Sequence, residues 1–271
     1  MMDDFKAFVS DTVMHLDRVA FAHSLGIVPD PWQERLLRTS SKRIIMACSR
    51  QSGKSTMSAI IALHRALYYP GSLVLCLAPA LRQSQELFTK IAGFYRDLGR
   101  PVKAQGERKL SLELENDSRI ITLPGSEKTI RGFSGVDLLI VDEAARVEDG
   151  LFYAVRPMLA VSDGALMMLS TPYGRQGVFY EVWSKAQGWD RYEVPASATP
   201  RITAEFLEEE RSSLPSWAYR QEYEVSFEQE LGQIFTDEMI DSAIDEDLST
   251  PIPSSERERI MAIASGIRGR G

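Results

Sequence analysis

Ile44-Ile45-Met46-Ala47-Cys48-Ser49-Arg50-Gln51-Ser52-Gly53-Lys54-Ser55-Thr56 is the stretch whose reading decides the fold. Its first five residues form a short apolar run, the signature of a strand buried on both faces. Ser49 to Gly53 are small and polar, and Lys54-Ser55-Thr56 open a run with helical periodicity. Strand, tight loop, Gly-Lys-Ser, helix is the layout of a phosphate-binding loop. In such a loop the backbone N–H groups point into one concavity, and the helix dipole adds positive potential there. Lys54 then reaches the β- and γ-phosphates of a nucleotide, and the Ser55 hydroxyl is a ligand for Mg²⁺. Cys48 stands where the usual pattern has its first glycine, so the match rests on the flanking strand and helix.

Working downstream, Ser72–Ala78 (SLVLCLA) reads as a second buried strand, followed by a helix over about 82–98. Leu110, Leu112 and Leu114 alternate with polar residues, Asn116-Asp117 makes a turn, and Ser118–Leu123 returns. That pattern predicts a β-hairpin inserted between the α/β units. Val136-Asp137-Leu138-Leu139-Ile140-Val141-Asp142-Glu143 supplies the second half of a nucleotide site. Asp142 at the strand end holds Mg²⁺ through its water shell, and Glu143 polarises the attacking water. An acceptor-phosphorylating kinase does not need that second carboxylate. Ala165–Ser170 is a further strand ending in Ser170-Thr171-Pro172. Hydroxyls there lie at the mouth of an open α/β sheet, as γ-phosphate sensors or as a plain strand-to-loop turn.

Upstream, Phe5, Phe8, Val9, Val13, Leu16, Val19 and Ala20 recur at helical spacing, which predicts one amphipathic helix over 4–23. Asp30-Pro31 begins a short helix containing Trp32, a core anchor, and Gln33. An amide can pair with N6 and N7 of adenine, so Gln33 is either a base contact or a solvated side chain. Helices read at about 148–160 with a break near Pro157, and at 177–185, 203–212 and 217–227, with a strand near 191–195. The last two helices are charged and suit a small lid. From Leu231 the character changes: 235–244 reads as one short helix, and 245–259 is acidic and Pro/Ser-rich, a linker composition.

The 271 residues carry a net charge of −7, so any nucleic-acid contact uses a local patch. Cys48 and Cys76 sit in strand-like apolar runs and read as buried, reduced thiols. His15, His23 and His64 show no metal-ligand spacing, and no stretch reads as a signal peptide or a membrane span.

Taken in order, Trp32-Gln33, Ser49 to Ser55, Arg131-Gly132, Leu139 to Ala144 and Ser170-Thr171-Pro172 resemble the ATPase half of bacteriophage terminase large subunits, the viral DNA-packaging motors. Family loops often lack the first glycine and carry an arginine after the strand, as Arg50 does. The resemblance implies an α/β fold: a P-loop NTPase of the additional-strand, catalytic-glutamate type. Its mainly parallel central sheet is flanked by helices, with the Ser-Thr-Pro strand between the P-loop and Asp-Glu strands. It implies an ATPase domain over 1–231, with a lid at about 190–230, then a linker and the start of an absent nuclease domain over 232–271. It implies ATP and Mg²⁺ as ligands, with Gln33 at the adenine. Ser49, Arg50, Gln51, Ser52, Gly53, Lys54, Ser55 and Thr56 would then surround the phosphates, with Ser170 and Thr171 beyond them. Ser55 and Asp142 would hold the metal, and Glu143, Lys54 and Arg50 would be catalytic. Arg131 would be an arginine finger inserted into a neighbouring subunit, a role worth on the order of 10³–10⁵ in turnover. Implied partners are double-stranded DNA, the portal protein, the small terminase subunit and further copies in a ring, acting in the host cytoplasm without a membrane. Met261 to Gly266 bears no acid, so nuclease activity is not expected from this chain. The alternatives are a helicase-like or remodelling DNA-dependent ATPase, and a decayed, non-hydrolysing scaffold.

Overall fold

A computed structural model describes residues 2–125, 130 and 132–228, the side chains of 2–4 excepted. Arg131, Thr129 and everything expected of 232–271 lie outside the described residues. The chain runs α1 (Met2–Leu16), α2 (Arg18–Ser24), α3 (Pro31–Arg38), β1 (Arg43–Cys48), α4 (Lys54–Tyr68), β2 (Leu73–Ala78) and α5 (Leu81–Asp97). Three strands follow: β3 (Ala104–Arg108), β4 (Ser111–Leu114) and β5 (Arg119–Pro124). Then come β6 (Leu138–Asp142), α6 (Asp149–Val155), β7 (Ala165–Ser170), α7 (Gly177–Lys185), β8 (Asp190–Val194), α8 (Ala204–Ser213) and α9 (Ser216–Tyr223).

The strands form one eight-stranded sheet in the order β3-β4-β5-β2-β6-β7-β1-β8. Five neighbouring pairs from β5 to β8 are parallel, and β7 lies between β1 and β6, as the resemblance implies. Side chains on these strands alternate between two apolar layers. Ile44, Met46 and Cys48 face the layer holding Met57, Ile60, Leu87 and Ile91 of α4 and α5. Ile45, Leu139 and Val141 face the layer holding Leu151 of α6 and Val178 of α7. That period of two is why the strands read as unbroken apolar runs. Each fully buried Leu or Ile contributes about 1.5–3 kcal/mol, so the central strands are held rigidly from both sides. Cys48 and Cys76 are buried and unpaired, and burial pushes the Cys48 thiol up to about 12.

Two expectations need correction. The N-terminal helix is two helices, because Asp17 leaves helical geometry and its carboxylate accepts the Val19 N–H, capping α2. The apolar stripe of α1 is also not packed: Phe5, Phe8, Val9, Val13 and Leu16 are exposed, and α2 supplies the buried Val19 and Phe21. The hairpin is present as β4 and β5, but it is not an insert between units. β5 pairs in parallel with β2, and β3 adds a further antiparallel strand, so the meander extends the central sheet. The proposed break near Pro157 falls where α6 tightens into a 3₁₀ turn over Arg156–Leu159. No helix among the described residues is long and apolar enough to cross a membrane.

Candidate nucleotide site

All the chemistry-bearing stretches end at the carboxyl edge of the sheet, where α/β folds bind ligands. In-register pairing sets Ala47 beside Ser170, Asp142 beside Leu169, and Cys48 beside Val194. The loop after β1 therefore opens next to the ends of β7 and β6. Gln51 and Gly53 take left-handed conformations, φ 58° and 93°, which turn the chain tightly into α4. A Cβ at Gly53 would lie 2.8 Å from Gln33 Nε2, so a side chain there would displace the glutamine amide from the Ser52 carbonyl. The Ser49 N–H donates to the Val194 carbonyl at 2.9 Å, which ties the loop to β8.

Lys54 is buried, and its Nζ lies 3.1 Å from Glu143 Oε1 and 3.2 Å from Thr171 Oγ1. Ser55 Oγ donates to Asp142 Oδ2 at 3.2 Å, across 87 positions of sequence. The Ser170 hydroxyl reaches Glu143 Oε2 at 3.3 Å and the Thr171 carbonyl at 2.8 Å, and its one proton serves one of them at a time. The amine, both acids and the Ser-Thr pair thus form one connected cluster. Glu143 has φ +50°, an uncommon conformation for a residue with a side chain. Such strain costs of order 1–3 kcal/mol and recurs at functional sites.

Burial, then the neighbouring Glu143 carboxylate, push the Asp142 carboxyl up to about 6, with Lys54 opposing. A buried carboxylate facing a hydroxyl and a second acid is a donor set of hard oxygens, which suits Mg²⁺. A cavity of about 160 Å³ lined by Ser55, Asp142, Glu143, Gln83, Glu86 and Lys90 adjoins these oxygens. The residues present therefore fit a hydrated divalent cation held by Ser55 and Asp142.

The loop arginine and the glutamine sit differently from a simple phosphate or base contact. Arg50 Nε is ion-paired with Glu222 of α9, and its backbone N–H meets the Glu222 carbonyl at 3.3 Å. Gln33 is buried: its Oε1 accepts the Asp30 N–H at 2.9 Å, and its Nε2 donates to the Ser52 carbonyl at 3.3 Å. Ser49 Oγ and Ser52 Oγ are buried without a hydrogen-bond partner, and Thr56 Oγ1 accepts from Lys90 Nζ at 3.3 Å. Sequence reasoning missed Arg201, whose guanidinium forks onto Asp30 at 3.0 and 2.8 Å and lies 3.5 Å from the Ser52 carbonyl. It missed Glu222 as well. Asp30 carried a signal only as a helix start, and the other two carried none.

A phosphate-binding loop, a buried lysine, and an Asp-Glu pair reached across one intervening strand define a P-loop NTPase of the additional-strand, catalytic-glutamate class. A family model described as "Terminase large subunit, T4likevirus-type, N-terminal" matches residues 45–242. The chain belongs to that family of phage terminase large subunits. A curated terminase large subunit of Thermus virus P23-45 is 27% identical, over 79% of this chain and 50% of that protein. One from Escherichia phage T5 is 26% identical, over 78% and 50%. The chain thus spans about half the length of the curated relatives it matches. Among solved structures, the large terminase ATPase domain of Thermus phage P74-26 is similar in fold. It has TM-score 0.68, 24% identity, and coverage of 77% of this chain and 97% of that one.

Proposed function

We propose that this chain binds and hydrolyses ATP and that hydrolysis drives double-stranded DNA into a capsid as part of a terminase motor. The observation that carries the reading is the convergence of Lys54, Ser55, Asp142 and Glu143 from two distant stretches onto one point. Family membership supports the motor over a helicase-like or remodelling ATPase. A large terminase from a thermophilic bacteriophage, similar in fold, has been solved in complex with ADP, which supports a nucleotide as ligand.

In this mechanism Ser55 and Asp142 would hold Mg²⁺, which would supply positive charge against the phosphates. Lys54 leaves Glu143 and turns its ammonium to the phosphates, stabilising the charge that shifts to the leaving oxygen. Glu143, freed of that partner, accepts the proton of the attacking water as the new oxygen–phosphorus bond forms and the bond to ADP breaks. Ser170 keeps the carboxylate aimed, and Thr171 holds the lysine from the other side. Arg131, outside the described residues, completes the site of a neighbouring copy in a ring on the portal. The small subunit and duplex DNA are further proposed partners, acting within the host cell.

The test measures ATPase rate against protein concentration for wild type, Arg131→Ala, Glu143→Gln and the mixture of the two variants. The expected result is a specific rate that climbs with concentration and activity regained in the mixture. Rates independent of concentration with no recovery would refute sharing of sites between copies.

A further inference from the structure

We propose a second anion site, for a phosphate-bearing ligand, at the amino-terminal edge of the sheet, opposite the nucleotide cluster. A cavity of about 390 Å³ opens there, lined among others by Arg18, Lys42, Arg65, Tyr69, Asp137 and Asp163. Its floor is the start of β1, β6 and β7, so the full length of these strands, roughly 15–20 Å, separates it from Lys54. The volume lies in the range of small-molecule sites and exceeds what one ordered water requires.

The charge balance of this cavity selects the ligand. Lys42 is ion-paired with Asp163. Arg65 NH2 meets Asp137 Oδ1 at 3.0 Å, while the other oxygen of Asp137 accepts the Leu73 N–H at 2.9 Å. Both carboxylates are therefore engaged. Arg18 donates to the Thr39 carbonyl, and among the described residues no carboxylate lies within ion-pair distance of it. Burial lowers its affinity for the proton; Tyr69, Tyr192 and Asp17 oppose that, and the Arg65 charge adds to it. Arg65 Nε is sealed from solvent, and the accessible part of this side chain, 34% exposed, carries NH1, which has no partner among the described residues. Arg18, with only the Thr39 bond, and Arg65, with NH1 free beside its Asp137 pair, stand on adjoining walls, α2 and α4, and match an oxyanion that accepts several hydrogen bonds at once. The walls are stiff: Arg65 lies over the Tyr69 ring at 4.3 Å, and Arg18 is anchored by Thr39. A phosphate with an organic body attached fits both the charge and the volume. It could belong to a free phosphorylated compound or to a nucleic-acid backbone.

The experiment follows the ³¹P line width of inorganic phosphate as protein is added, in a Lys54→Ala background that disables the nucleotide loop. Saturable broadening is expected there. Arg18→Gln added to that background should weaken it at least about tenfold, the loss of one charge-assisted hydrogen-bonding group. Arg65→Gln should do the same, and serves where Arg18→Gln unfolds the protein, as judged by its melting curve. No saturable broadening in the Lys54→Ala protein, or broadening unchanged by both arginine variants, overturns the site. A parallel titration of a short DNA duplex by fluorescence anisotropy separates the sources. Weaker duplex binding in Arg18→Gln assigns the site to a nucleic-acid phosphate, and unchanged duplex binding assigns it to a free phosphorylated compound.

Discussion

Replacing Glu143 with glutamine tests the proposed chemistry most directly, because the structure sets opposite expectations for binding and turnover. The substitution keeps the shape of the side chain and its contact with Ser170, but removes the negative charge beside Lys54. A glutamine amide cannot accept the proton of water in the reaction. Removing a general base costs typically 10²–10⁴-fold in rate, roughly 3–5 kcal/mol of transition-state stabilisation. Binding should move the other way. The Lys54 and Glu143 side chains are only 10% and 21% exposed, and their ion pair competes with the triphosphate for the lysine. Releasing a pair worth on the order of 1 kcal/mol should tighten ATP binding by up to about fivefold. Thr171 still holds the amine in place. Titration of a fluorescent ATP analogue measures the binding, and phosphate release in a single turnover measures the rate. Turnover within about tenfold of wild type would remove Glu143 as the base. ATP binding weakened tenfold or more would mean that the glutamate builds the pocket rather than competing for Lys54.

Glu222→Ala frees Arg50 from an exposed ion pair worth about 0.2–1 kcal/mol, so ATP binding should strengthen by no more than about fivefold. Weaker binding in the same titration would show that the pair supports the loop instead of restraining Arg50. His64 is buried, its ring proton serving the Met14 and His15 carbonyls, and burial lowers its pKa to about 4 from an ordinary 6.5. The unfolded chain therefore binds the extra proton first, so His64's share of stability, about 3 kcal/mol, is whole above pH 6.5 and is lost as pH falls toward 4. Melting curves over that window should fall less steeply for His64→Gln, and parallel curves would discard the argument. Gly164→Ala sets a Cβ 2.1 Å from the Val136 carbonyl oxygen, a backbone atom that cannot step aside, and should destabilise the fold by about 1–3 kcal/mol or more. Chemical denaturation measures it, and an unchanged midpoint would show that the β6–β7 junction is looser than drawn.

Most of the fold could be read in advance because its central strands are buried on both faces, and unbroken apolar runs mark them plainly. The helix Lys54–Tyr68 and the strand Ala165–Ser170 stand where periodicity puts them. The α1 stripe shows where such reading stops. Phe5, Val9 and Val13 have the spacing of a core face, yet periodicity says only that a face exists, not that anything covers it. The β3 strand was missed because Ala104 to Arg108 carries little apolar pattern on a sheet edge. In the site, the meeting of Lys54, Ser55, Asp142 and Glu143 was legible because a phosphate-binding pattern calls for the first two at a helix start and for an acid pair at a strand end. Arg201 and Glu222 were not, since a surface arginine and a helical glutamate look the same whether or not they meet a functional loop.

Those unread contacts change how the loop after β1 should be understood. Gln33 and Arg201 both reach the Ser52 carbonyl, Gly53 is hemmed by Gln33, and Arg50 is held by α9 through side chain and backbone. The loop is therefore braced on one side by α3 and the turn before α8, and on the other by α9. A phosphate that draws Arg50 inward has to separate it from Glu222, so the ion-pair energy lost there is set against the energy of the new contact. Because Arg50 lies on the loop and Glu222 on α9, the last helix among the described residues, such an exchange would make occupancy of the loop by a phosphate and the attachment of α9 interdependent. The coupling is limited to the worth of one exposed pair, unless the backbone bond between Arg50 and Glu222 breaks with it.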